Sequence, residues 1–507
     1  MILGKNIIKK LTVEIDVPTM EQALRVKDDI NGFLKEQLYP KLATLFTDYE
    51  STSEIIEWEH LALEIDVSNT NFSSVLSNEI GEKITQQLQQ KLTNTKENEA
   101  YVPSVRKTPS EKNIEAFIHF LKTGHYPWWK DPSKTLTFPE ISTTIPTSIV
   151  QLKKTLLSSN AQKRLIYQFD NSFITHLYGL LYLGNESNTI SEKDFPKPLQ
   201  NETIKVAFWG MIFSLEKEAK FNQFESVFIS FIADYFGDQT RRISEDSFTV
   251  QGNKCLAIEQ ITLLCQQHLK LPIQWETDAL GHFQLVENSK PKNVRLSKEN
   301  NLIFKLGPVK INTSEKQSAT SIIQEFPTEK YNENEVDKII SGKEGFIVQN
   351  AGLIILHPFL KKFFEKHGFI HENNILEDKI SEAVHLLHFL ATGNEKAPEQ
   401  QLVFEKYLCG IPLHKPIKKE VIINSSQKSA AEELLAAILQ HWNSLKTNNI
   451  DVLRNEFLQR EGKIQHKSER HQLFIERKTQ DILLESIPWN IHLIKLPWQK
   501  QLLFVEW

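Results

Sequence analysis

Apolar and polar residues alternate in two short runs near the start of the chain. Leu11, Val13, Ile15 and Val17 alternate with Thr12, Glu14 and Asp16, the period-2 pattern of a half-buried strand, and Pro18 closes the run. A second run from Trp58 to Val67 ends in LALEIDV, which matches LTVEIDV at 11–17 in five of seven positions. Helical spacing follows each run. Behind Thr19, a natural N-cap, come Ala23, Leu24, Val26, Ile30, Phe33, Leu34, Leu38, Leu42, Leu45 and Phe46, interrupted or kinked at Pro40, and a second helix is predicted from about Phe72 to Leu92. Residues 1–98 therefore read as a β-α-β-α unit whose strands suit neighbouring places in one sheet. The polar tract TNTKENEA at 93–100 reads as a linker.

Helical periodicity then takes over. EKNIEAFIHFLKTG sets Ile114, Phe117, Ile118 and Leu121 on one face and stops at Gly124, where a left-handed residue ends helices. Further helices are predicted at about 145–158, 161–183, 201–219, 225–236 and 257–269. HFQLVE, NVRLS and LIFKL between 275 and 306 read as short strands. Residues 110–285 form a helical module on this reading, and 286–343 form a variable linker or insertion with short strands. Its stretch 307–343 is poor in large apolar residues, with room for a helix at 335–341. A second helical module covers 344–465, with helices at about 381–391, 399–408, 430–445 and 450–459. HQLFIER, NIHLIKL and QLLFVEW, with DILLESI before the second, make 466–507 a β-rich closure. The predicted class is α+β, mostly helical in its centre with small β-containing units at the N- and C-termini. Three short strands make a marginal sheet alone, so the two terminal β units are expected to share one sheet that holds both Ile15 and Phe504.

Composition narrows the function. The chain has 507 residues, 40% hydrophobic and 10% aromatic, enough apolar material to bury cores over most of its length. A net charge of −5 without a long basic block gives no footprint for nucleic acid. The three cysteines, Cys255, Cys265 and Cys409, lack CxxC spacing, which argues against a disulfide scaffold or zinc ribbon and for a reducing compartment. The first residues lack a signal peptide's apolar run, and the longest apolar stretch, 206–215, is about half of a membrane span. The expected location is cytoplasmic.

No GxxxxGK[ST], GxSxG or GxGxxG occurs, so phosphate-loop and nucleophile-elbow chemistry have no foothold. Glu382 with His385, and Glu57 with His60, have E-x-x-H spacing. The second pair lies in a predicted strand, where i and i+3 point to opposite sides, and partner carboxylates are not evident. His367 and His371 lack the glutamate of a metalloprotease, so capping or surface roles are expected. Cys409 in KYLCGIP reads as a small buried residue at a helix end, and Arg460 with Glu461 and Glu476 with Arg477 as surface or interface ion pairs. No catalytic, cofactor or metal residue is assigned.

Two words recur. His119-Phe120-Leu121-Lys122-Thr123-Gly124 returns as His388-Phe389-Leu390-Ala391-Thr392-Gly393, each time at a helix end, which suggests two related modules. Pro-Trp steps occur at 127–128, 488–489 and 497–498. Trp128, Trp129, Trp489, Trp498 and Trp507 are the candidate packing or partner-binding residues, with Trp507 the one most in need of a docking place.

These words belong to longer blocks: EGFIVQNAGLIILHPFL, LLHFLATG, PEQQLVFEKYLCGIPL, His441-Trp442, LRNEFLQREGKI, FIERKTQDILLESIPWNIHLIKLPW and VEW, preceded by IIKKLTVEIDVP, EHLALEIDV and FLKTGHYPWW. In content and order the chain resembles the contractile injection system tape measure protein family over nearly its whole length, about 130–340 excepted. The resemblance implies a bacterial, phage-tail-like particle and a non-enzymatic role in setting the length of its inner tube and sheath, with tube, baseplate or sheath proteins as partners and incorporation into the particle as an option. A fully helical chain of this length would reach about 750 Å. The 20 Pro, 18 Gly, alternating strands and Trp pairs speak instead for compact parts. Two modes stay open: a chain that extends during assembly, or a compact factor that organises it. The alternative function is a compact cytosolic chaperone or adaptor for one component, absent from the mature particle.

Overall fold

The computed structural model describes residues 2–3, 6–8, 11–17, 19–47, 55–58, 74–94, 104–137, 146–184, 190–218, 224–237, 242–244, 247–250, 253–271, 275–277, 283–285, 302–305, 345–467, 470–499 and 501–507. The chain divides into two compact units, one of residues 1–115 with 128–130 and one of 116–127 with 131–507. The α+β class stands, with helices dominating and strands in small sheets.

The first unit holds β1 (Ile2–Leu3) paired with β2 (Asn6–Ile7), helices α1 (Met20–Phe33) and α2 (Tyr39–Thr47), strand β3 (Ile55–Trp58), helix α3 (Ser74–Asn94) and strand β4 (Ser104–Lys107), which pairs with β3. Helix α4 (Pro109–Thr123) begins in it. Pro40 does not break the helix. A five-residue π turn, Leu34–Leu38, joins α1 to α2, and the Tyr39 N–H donates to Leu34 O. The wider turn accommodates a ring that cannot donate to the preceding turn. Phe33, Leu38 and Leu42 pack there against Leu76 and Ile84 of α3.

Residues 11–17 do not form the predicted strand. Leu11, Val13 and Ile15 are exposed, each by more than 40%. A strand occupies Ile55–Trp58 and so reaches only the first residue of the second alternating run, whose remainder, 59–67, lies outside the described residues, as do 95–100, 293–297 and the 307–343 stretch with its helix at 335–341.

In the second unit α5 (Pro146–Thr155), α6 (Ser159–Gln168), α7 (Asn171–Tyr182), α8 (Glu202–Glu218), α9 (Phe224–Phe236) and α10 (Asn253–Gln267) follow the predicted periodicity. One predicted helix is two. The chain breaks at Phe169 because Asp170 caps α7, its carboxylate accepting from Phe173 N at 2.7 Å. The break is locked by buried Asn171, which donates to Glu192 and Leu199 O and accepts from the Trp209 indole. Strands β5 (Arg242–Ser244), β6 (Ser247–Val250), β7 (Trp275–Thr277), β8 (Phe283–Leu285) and β9 (Leu302–Lys305) make small antiparallel sheets.

Residues 345–507 surround one large core. Helices α11 (His357–Lys366), α12 (Ile380–Thr392), α13 (Val403–Leu408), α14 (Ser425–His441) and α15 (Ile450–Leu453) cover one side, with the minor hairpin β11 (Ile370–His371) and β12 (Asn374–Ile375) between α11 and α12. A five-stranded sheet closes the other, in the order β10 (Phe346–Val348), β13 (Gly462–Lys467), β14 (Arg470–Ile475), β16 (Leu502–Glu506), β15 (Leu493–Ile494). β14 and β16 are parallel and the other pairs antiparallel. Phe346, Val348, Ile464, Leu473, Ile475, Leu503 and Val505 alternate inward onto the core.

The expectation that the two terminal β units share a sheet is corrected. β10 and β13 lie beside the C-terminal strands, and Ile15 is exposed in the first unit while Phe504 stands in this sheet. The neighbour of β14 is β13, joined to it as a tight hairpin, and a local partner costs less loop-closure entropy than a distant one.

Candidate functional site

The repeated word builds the same local structure twice. Gly124 N donates to Phe120 O and Gly393 N to Phe389 O, both at 2.8 Å, and both glycines are left-handed. Thr123 and Thr392 return their hydroxyls to the carbonyls of His119 and His388 at 2.8 and 2.9 Å. In each case an arginine from a later element closes the helix end. Arg164 of α6 donates through Nη1 to Leu121 O at 2.6 Å, and Arg454 donates through Nε to Leu390 O at 3.2 Å. The guanidinium groups also lie over the rings of Phe120 and Phe389, 6.0 and 5.6 Å from their centroids. A cation there satisfies carbonyls left without helical partners and opposes the dipole.

The first junction extends into a wholly buried ionic cluster. Arg164 holds both oxygens of Glu399, at 3.0 and 3.1 Å, and its Nη2 reaches His414 O at 2.6 Å. Lys406 Nζ meets Glu399 Oε1 at 2.7 Å and the carbonyls of Leu413 and Lys415 at 2.6 Å each. Three acceptors around one nitrogen fit an ammonium, although burial lowers the Lys406 group to about 8 against the pull of Glu399. Gly124 sits against this cluster. An added Cβ would stand 2.5 Å from Leu413 O and 2.7 Å from Glu399 Oε1, so the glycine serves close approach as well as conformation. The cluster thereby ties the end of α4, α6 and the 399–415 segment into one arrangement.

A second buried polar group lies under the second word. His388 Nδ1 is 3.2 Å from Glu405 Oε1, which also accepts from Asn350 Nδ2 at 2.8 Å. Neighbouring His385 is spent on Lys418 O at 2.8 Å, and Glu382 pairs with Lys379 at the surface. The E-x-x-H pair therefore does not converge. Glu57 pairs with Lys107 and Lys112, and its predicted partner His60 lies outside the described residues. Burial raises the Glu57 carboxyl, and the two ammonium groups overcome this and hold it below its usual range. Burial drives the Cys409 thiol well above its ordinary range, which removes nucleophilic character. Among the described residues no group of three His, Cys, Asp or Glu side chains could hold a metal ion, and no helix is long and apolar enough to cross a membrane.

His119 and His125 face each other with ring centroids 4.9 Å apart, and neither Nε2 has a hydrogen-bond partner. Burial lowers them to about 4 and about 3. Both stay neutral in the fold while the unfolded chain takes up protons below about 6.5. Stability therefore falls as pH drops from about 6.5 toward these values, by about 2 kcal/mol for each group at pH 5. Urea midpoints at pH 7.5 and 5 check this: His119→Gln with His125→Gln should flatten the acid loss, and an unchanged slope would refute it.

The singled-out indoles occupy definite places. Trp489 donates to Ile355 O at 2.9 Å with its ring edge-on to Phe359, and Trp498 donates to Leu408 O at 2.6 Å while stacking on Phe364. Trp507 packs on the same core and donates to Asp481 Oδ2 at 3.2 Å. In the first unit Trp129 lies under the Lys112 ammonium, 3.8 Å from the ring centroid, and Trp128 is 36% exposed. Trp442, which the sequence marks as part of the His441-Trp442 block and not as a packing candidate, is fully buried and donates to Leu483 O and Ser486 Oγ at 3.1 Å.

Arg460 corrects an expectation. Expected in a surface or interface ion pair with Glu461, it is instead fully buried, donating to Asp481 Oδ1 at 2.8 Å and Glu456 O at 2.6 Å. Asp481 in turn takes the Lys478 N–H and the Trp507 indole, so all three meet in one pocket.

These sites hold polar groups in place and leave them little freedom to react. Arginine, glutamate and lysine are consumed by mutual pairing and backbone capping, an arrangement suited to a fixed scaffold. No curated protein and no solved structure matches the chain. The family model for the contractile injection system tape measure protein matches residues 5–507, so the chain belongs to that family.

Proposed function

We propose that this protein is a non-enzymatic assembly factor that sets the length of the inner tube and contractile sheath of an injection particle. The observation that carries the reading is the family match across residues 5–507. Inner tube, baseplate or sheath proteins are its partners, and it acts in the cytoplasm during assembly, with incorporation into the particle as a later step. The large core of residues 345–507 and the buried ionic cluster favour a part that stays folded while it works. Packing of that kind opposes extension of the whole chain into one helix.

The fold also supports a second reading, a compact chaperone or adaptor that leaves before the particle is complete. Electron microscopy of particles from cells carrying a thirty-residue helical insertion within 307–343 tests length control. A uniform lengthening of up to about 45 Å is expected if that segment is read as an extended helix. Unchanged lengths would sink literal measurement by this segment. Absence of the chain from purified particles would turn the assignment toward the chaperone.

A further inference from the structure

One face of the five-stranded sheet lies on the core, and the other interleaves apolar side chains with Lys463, Gln465, Arg470, Gln472 and Glu506. Outward positions on the five strands include Ile347, Phe474, Leu493, Leu502 and Phe504, of which Ile347, Leu493 and Leu502 are 39–46% exposed. Leu493, Phe504 and Leu502 adjoin one another, while Lys463 separates Ile347 from Phe474; exposed apolar side chains brought together in this way mark an interaction site.

Charge specifies the partner. The ladder registers place Lys463 of β13 beside Phe474 of β14, and Phe474 beside Glu506 of β16. A cation and an anion thus flank one aromatic ring in a single row across the sheet. A two-fold axis parallel to the strands and above β14 would lay a second copy of this face upon the first. Phe474 would meet its equivalent, and each Lys463 would stand opposite a Glu506. Such self-complementarity is what an isologous contact requires, and sheets pack face to face with strands nearly aligned about 10 Å apart. Arg470, the one charged residue on the outer face of β14, lies over the Phe504 ring at 5.1 Å and so leans off the axis toward β16. Glu506 is exposed and accepts from half-buried Gln472.

We propose that this sheet face is a self-association surface, and that its occupant is the same face of a second copy of this chain. Sedimentation equilibrium of the full-length protein tests it. A concentration-dependent monomer–dimer equilibrium is expected. Lys463→Glu and Glu506→Lys should each weaken dimerisation by at least about tenfold, because like charges then face one another twice per dimer. The double variant Lys463→Glu with Glu506→Lys should restore it. Phe474→Ser should weaken it without restoration, with circular dichroism confirming the fold of every variant. The charge variants lie on the outer face, so their outcome does not depend on the core. A monomer at all concentrations would overturn the proposal, as would a dimer indifferent to these changes. A monomer that binds a tube, sheath or baseplate protein through this face would overturn it in favour of that partner.

Discussion

Glu399→Gln is expected to cost about 3–5 kcal/mol of stability in the second unit, the range for removing one partner of a buried ionic group. The carboxylate is fully buried, grips Arg164 through both oxygens and takes a hydrogen bond from Lys406. Glutamine keeps the shape but leaves two cations without a counter-charge. The loss should appear as a lower urea midpoint and as faster amide exchange at the end of α4 and over 410–417. Replacing the whole cluster as Arg164→Met, Glu399→Leu and Lys406→Met should cost less than Glu399→Gln alone, because no buried charge is left behind. A loss below about 1 kcal/mol in the single variant would show that the cluster is solvated and not the fixed tie described above.

Gly352→Ala should have an effect of similar size for a different reason. Gly352 lies in the 3-10 turn Ala351–Leu356 between β10 and α11, and a Cβ on it would stand 1.7 Å from Phe457 O and 2.7 Å from its carbonyl carbon. The obstacle is backbone, so no rotamer change relieves it. Either the turn or the π-helical segment Arg454–Leu458 must move, and moving that segment disturbs Arg454 at the Gly393 junction. Overpacking in well-filled cores costs about 1–3 kcal/mol and occasionally more, and this contact belongs at the upper end. Thermal unfolding measures it. Gly393→Ala, where the nearest obstacle is the half-exposed glycine's neighbour Arg454, a side chain at 3.2 Å that can give way, should be the milder change, its cost being chiefly the left-handed backbone (φ 76°), about 1–2 kcal/mol for a residue with a Cβ. Equal losses at the two positions would show that the 352–457 approach yields easily.

Legibility varied with the range of the interactions that shape each element. The helices at 146–155, 202–218, 224–236 and 380–392 follow local apolar spacing, and their stops at Gly124 and Gly393 follow local backbone preference. The HFLxTG repeat was visible because both copies are spelled alike. Its arginine caps were not, since Arg164 and Arg454 lie 43 and 64 residues beyond the carbonyls they hold. Arg460 reads as half of a surface or interface ion pair because a charged side chain beside an opposite charge is ordinarily not fully buried. Its burial is explained by the counter-charge of Asp481, twenty-one residues on, together with the Glu456 carbonyl.

The same division accounts for the sheets. Alternation marked the strands at 470–475, 493–494 and 502–506, and its physical meaning, one buried face, holds there. It also marked 11–17, where no strand forms. Period 2 states that a segment is suited to a sheet, but a strand exists only where a neighbour supplies its hydrogen bonds. Strand β13 lacked a clear signal yet sits within the sheet, because β14 follows it in a hairpin and β10 takes its other side.

By itself the sequence determined the α+β class, most helices with their stops, the absence of familiar catalytic motifs and, through its ordered blocks, the family. Those properties depend on residues close in the chain or on words that recur intact. The tertiary structure alone decided which carbonyls the arginines cap, which charges are buried together, and which strands become neighbours. Each of those rests on groups far apart in the chain, whose meeting depends on how every element between them packs.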